Sequence, residues 1–145
     1  SNWVFILGVI FIAVFSDSIM EMIGSNVSFV SSDFWLLLSF AFFFHRYGAM
    51  HLQLYLTTND VKSHIADGIT GVIFIVTVYV LIDSLDFYAF PIGMIVSYLG
   101  FYVVYSVRLS LKNLSINFFK SELKVFIFPL LALCIFAFIF LMIKN

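Results

Sequence analysis

Residues 125–143 form a run of nineteen residues with no charged side chain. As a helix, at roughly 1.5 Å per residue, such a run reaches about 28 Å, close to the roughly 30 Å hydrocarbon layer of a bilayer. The run shows no alternation of apolar and polar residues, so it does not read as a strand of a membrane β-barrel. Backbone polar groups find no water in hydrocarbon, and a helix satisfies them within one segment.

Composition extends this constraint to the whole chain. Hydrophobic residues make up 63% and charged residues 10%, against roughly 45–50% and about 25% in soluble domains. Charge this sparse does not cover a water-facing surface. The net charge of −1 gives no bulk basic field for nucleic acid. Cys134 is the single cysteine, so no internal disulfide forms, and its apolar surroundings suit packing or lipid contact. No HExxH, CxxC, Walker or GxGxxG pattern occurs, so the sequence points to no metal, no cofactor and no enzyme.

The expected fold is all-α, a polytopic transmembrane helical bundle of about five spans forming one region over residues 1–145. The spans fall at 3–15, 34–56, 65–82, 87–107 and 125–143. The first is short for a full crossing. The chain also starts at Ser1 and Asn2 without an initiator Met or a basic leader, which reads as a fragment, or as a cloning scar at those two residues. Residues 16–33 suggest a short interfacial helix ending at Gly24. Pro91 and Pro129 sit near the starts of their segments, where proline is tolerated. Connections 16–33 and 83–86 contain no Lys or Arg. Arg46, Lys62, Arg108, Lys112, Lys120 and Lys124 fall on the alternate connections, which the positive-inside rule puts in the cytoplasm. That basic set also suits anionic lipid headgroups. Asp83 and Asp86 read as a solvated turn, and His64 as solvated.

Arg46 weighs most among the polar residues. It lies twelve residues after Phe34, about 18 Å along a helix. Ser39, Arg46, Gln53 and Asp60 recur every seven residues. Such a stripe drifts only about 20° per step, so it forms one polar face, with Met50 and Thr57 beside it. On one reading Arg46 faces a cavity. On the other, the apolar helix ends at Phe44 and Arg46 reaches the interface. His45 and His51 are six apart, on different faces, and suggest packing or interfacial roles more than a metal site. Gly93, Ser97 and Gly100 form a small-residue stripe suited to close helix packing. Tyr98, Tyr102 and Tyr105 form a second stripe, which either lines a polar passage or bonds its hydroxyls to neighbouring helices.

Two stretches resemble a known family. Met22-Ile23-Gly24-Ser25 followed by Phe34-Trp35-Leu36-Leu37-Leu38 resembles the outer loop and next helix of bacterial polysaccharide flippases. Arg46-Tyr47-Gly48-Ala49-Met50-His51-Leu52-Gln53-Leu54-Tyr55 with Thr57-Thr58-Asn59 is similar to a segment of O-antigen and lipopolysaccharide exporters. Tyr88-Ala89-Phe90-Pro91-Ile92-Gly93-Met94 sits where such proteins often start a small-residue-rich helix. The resemblance is to the multidrug/oligosaccharidyl-lipid/polysaccharide flippase superfamily. It implies a transporter of about twelve to fourteen helices in two lobes, set in the bacterial inner membrane, of which this chain would supply five. The implied substrate is an undecaprenyl-diphosphate-linked oligosaccharide. Arg46 would meet the diphosphate, while Gln53, Tyr98, Tyr102 and Tyr105 would meet sugars, with Ser39 and His51 as further cavity candidates. The coupling ion is open. A different class of protein also fits the sequence, a small membrane-embedded interaction or immunity protein. A small four-helix sugar-lipid translocase would need one span fewer.

Overall fold

The computed structural model describes residues 2–25, 29–59, 62–113 and 122–144. Ser1, Asp60, Lys120 and most of the basic connection after Asn113 lie outside the described residues. Every element among the described residues is helical. α1 is Asn2–Met22, α2 is Ser32–Leu56 and α3 is Ser63–Leu85. A short 3-10 turn, Asp86–Tyr88, leads to α4, Ala89–Ser97. A π turn, Tyr98–Tyr102, joins α4 to α5, Val103–Asn113. A second π turn, Leu123–Ile127, leads into α6, Phe128–Lys144.

Three helical stretches are long and apolar enough to cross a membrane: Asn2–Met22, Ser63–Lys112 and Lys124–Ile143. The second has 50 residues and doubles back at Asp86 into the α3–α4 hairpin. Asp86 makes that reversal with φ 47°, a positive value that few residues other than glycine adopt. α2 is absent from this set, in keeping with His45, Arg46, His51 and Gln53 in its second half.

The first helix differs from the expected short span at 3–15 with a separate interfacial helix behind it. α1 runs unbroken to Met22 because Ser16 turns inward, 5% exposed, while Asp17 and Glu21 stay on the outer side. The expected stop at Gly24 is present. Gly24 adopts φ 71°, its N–H reaches the Glu21 carbonyl at 2.9 Å, and the Ser25 N–H reaches that of Met20 at 3.0 Å. These are the two bonds of a Schellman cap, which favours glycine at the left-handed position. Asn59, at φ 62°, plays a related part after α2, where Thr57 and Thr58 hydroxyls donate back to the Leu54 and Tyr55 carbonyls.

α2 is the central helix and packs against α1, α4, α5 and α6. Ile6 and Val9 of α1, Phe43 and Phe44 of α2, and Leu133 of α6 form the main buried cluster. Gly93 gives the close helix approach read from its stripe: a Cβ there would stand 2.8 Å from Val78 Cγ2 on α3. Pro129 shapes the start of α6. In regular α geometry the Val125 carbonyl takes the N–H of residue 129, which proline lacks. The π turn falls at this point, and Asn2 Nδ2 donates to the Val125 carbonyl at 2.7 Å. One side chain of α1 thus satisfies the acceptor that the proline orphans.

Candidate functional site

Four residues of α2, Phe42, Arg46, Met50 and Gln53, recur at steps of four, four and three, so they share one helix face. That face looks across at Asn2 and Phe5 of α1, and together they line a cleft of about 450 Å³. Arg46 and Gln53 are exposed toward it. Arg46 lies about 18 Å from Phe34 and about 15 Å from Leu56 along the helix, near its middle. The guanidinium carries five donors in a planar fork, suited to two oxygens of one phosphate group.

Ser39 departs from the stripe. Its side chain is buried, and its hydroxyl donates to the Trp35 carbonyl at 2.8 Å, one turn back on its own helix. It lines neither of the clefts described here.

A second cavity, of about 260 Å³, lies between α2, α3 and the first π turn. His45, Asp67, Thr70, Phe74, Tyr98 and Tyr102 are among its walls. The His45 ring stacks on Tyr102 with centroids 5.3 Å apart and planes at 18°, and it touches Tyr98 at 4.9 Å. Tyr98 meets Tyr102 edge-on at 5.9 Å. Gly48 admits this arrangement, because a Cβ on residue 48 would lie only 2.6 Å from Tyr102 Cδ1. Two of the three striped tyrosines therefore reach a common cavity. Tyr105 does not. It stacks on Phe101 at 5.2 Å and packs against Tyr102, Leu52 and Ala66. The π turn takes up an extra residue, so spacing that aligns three side chains in an α-helix does not hold through it.

His51 faces away from both cavities, into a buried polar cluster. Its Nδ1 lies 2.7 Å from Ser110 Oγ on α5, and its Nε2 lies 3.2 Å from Glu122 Oε1 ahead of α6. The Tyr47 hydroxyl donates to the other oxygen of Glu122. None of the four is more than 7% exposed. The cluster braces three elements against one another, and the Tyr47 hydroxyl supplies the buried Glu122 carboxylate with a donor.

Sequence reasoning missed Glu122, Asp67 and Thr70. Glu122 is the one acid within a basic connection, a single turn before an apolar run. Asp67 is a carboxylate two residues inside another apolar segment. An ionisable residue in or beside such a segment is a functional candidate by default, which was the available signal. Thr70 gave no signal beyond its position one turn after Asp67.

No protein-family model, no curated protein and no solved structure matches the chain. The functional reading therefore rests on the residues alone.

Proposed function

We propose that the chain acts as a membrane transporter of the polysaccharide flippase kind, moving a lipid-linked oligosaccharide across the bacterial inner membrane. In this reading α1, α2, α3, α4 with α5, and α6 are five spans of a larger two-lobed bundle. The basic connections face the cytoplasm. The observation that carries the reading is the α1–α2 cleft, where Arg46, near the middle of α2, shares one face with Gln53 in its last turn. An arginine placed in hydrocarbon costs about 2.5–3.5 kcal/mol on insertion scales and is usually turned to a cavity or partner. A cleft lined by that arginine suits the diphosphate of a lipid-linked sugar, and Gln53 suits its hydroxyls. Release on the other side follows from rocking one lobe against the other.

The competing reading, an interaction or immunity protein docking through its small-residue face, is weakened by one observation. Ser97 is fully buried within the chain, and Gly93 packs against Val78 and Phe74 of its own α3. That face is largely occupied.

The test is surface O-antigen display by cells carrying substitutions in the native gene. Arg46→Ala is expected to abolish display, and Arg46→Lys, which keeps the charge but not the fork, to retain part of it. Normal display by an Arg46→Ala strain that holds wild-type protein levels would sink the assignment.

A further inference from the structure

The cavity between α2, α3 and the first π turn is separate from the cleft that carries the proposed function. Its chemistry differs from that of the α1–α2 cleft. No Lys or Arg is among its lining residues. Its acidic group is Asp67, exposed at the edge of the space and close enough to act electrostatically on His45, Tyr98 and Tyr102. Thr70 Oγ1 is a second polar group, on a residue only 5% exposed, and it has no hydrogen-bond partner among the described residues. A buried hydroxyl left this way is costly unless something supplies its partner. The remaining walls are largely aromatic, from Phe74, Tyr98, Tyr102 and the His45 ring.

Ligand classes can be sorted against these groups. An anion meets Asp67 with no cation in the lining to offset it. A bare hard cation such as Ca²⁺ takes six to eight oxygens at close range and makes no use of ring faces. The cavity's 260 Å³ equals the share of about nine liquid waters at roughly 30 Å³ each, too roomy for one bare ion. A neutral apolar molecule leaves Asp67 and Thr70 unused. A protonated amine on a small apolar body uses every wall. Its charge meets Asp67, its N–H reaches Thr70 Oγ1, and its body and charge lie against rings that attract cations.

We infer that this cavity is a binding site for a small organic ammonium ligand, held between the Asp67 carboxylate, the Thr70 hydroxyl and the aromatic walls of Phe74, Tyr98 and Tyr102. The inference stands independently of the transport reading. The two sites share His45 alone, whose ring stands between them.

The probe pair is benzylammonium and benzyl alcohol, which match in shape and differ in charge. Isothermal titration of the full chain in detergent micelles is expected to give saturable binding of benzylammonium. Benzyl alcohol is expected to bind at least tenfold more weakly. Asp67→Asn lowers benzylammonium affinity at least tenfold and leaves benzyl alcohol unchanged. Gly71→Leu places a side chain in the space and removes binding of both; Gly71 lines the cavity and a Cβ on it meets nothing within 4 Å. Arg46→Ala leaves both affinities unchanged, which separates this site from the cleft. Equal affinity for the two probes, an Asp67→Asn variant that binds as wild type, displacement of benzylammonium by equimolar NaCl, or no saturable binding at all would each overturn the proposal.

Discussion

Gly48→Ala is the sharpest test of how α2 and the π turn fit together. A Cβ on residue 48 would stand 2.6 Å from Tyr102 Cδ1, 2.9 Å from Tyr102 Cε1 and 3.5 Å from Val103 Cα. Carbon atoms prefer a separation of about 3.5–4.0 Å, so the ring must move by about 1 Å. Tyr102 is 4% exposed and packs on the His45 and Tyr98 rings, so the shift disturbs both rings and the cavity wall they form. Overpacking of this kind costs about 1–3 kcal/mol, and alanine returns about 1 kcal/mol through its better helix propensity. A net loss of up to about 2 kcal/mol follows. In a Tyr102→Ala background the clash is gone, and the same substitution becomes neutral or stabilises by up to about 1 kcal/mol. Unfolding titrations in mixed micelles, run on all four members of the cycle, measure the coupling directly. Gly71→Ala is the control, since nothing lies within 4 Å of its Cβ, and it is expected to destabilise by nothing. Equal loss from Gly48→Ala in both backgrounds would refute the packing argument.

Two further substitutions are read by the same titration. Asn2→Ala leaves the Val125 carbonyl without its 2.7 Å donor and is expected to cost about 1–3 kcal/mol, whereas a neutral outcome means that Pro129 orphans no acceptor. Glu122→Ala takes the acceptor from the buried Tyr47 hydroxyl and is expected to cost about 1–3 kcal/mol, with Glu122→Gln milder because its carbonyl oxygen still accepts from that hydroxyl.

What the sequence made legible was set by range. α6 was plain from an apolar run, and the helix stop at Gly24 was plain from the glycine, although it was expected to close a separate interfacial helix and not α1 itself; both signals are local. The Arg46–Gln53 face followed from periodicity alone. Ser39 shared that periodicity, yet its hydroxyl found a nearer partner at the Trp35 carbonyl, which spacing does not reveal. The tyrosine stripe failed at its last member because an inserted π turn changes the period within the helix. The role of His51 was out of reach for another reason. Its partner Ser110 lies 59 residues away, and the Tyr47–Glu122 bond spans 75. Packing of distant helices decides such contacts, and no local pattern announces them. The second half of α1 misled in the opposite sense, since Ser16, Asp17 and Ser18 resemble a break until burial of Ser16 assigns each residue to a side.

The central claim is that apolar helices of this chain sit in a membrane with a water-filled cleft around Arg46. Cys134 lies on the outward face of α6 and serves as an internal reference. In membrane-embedded protein, a charged methanethiosulfonate reagent is expected to modify Arg46→Cys while the native Cys134 stays unmodified, because a thiol facing hydrocarbon has neither reagent nor thiolate. Modification of Cys134 at the rate of a solvent-exposed cysteine would contradict the membrane placement, and an inert Arg46→Cys would contradict the cleft.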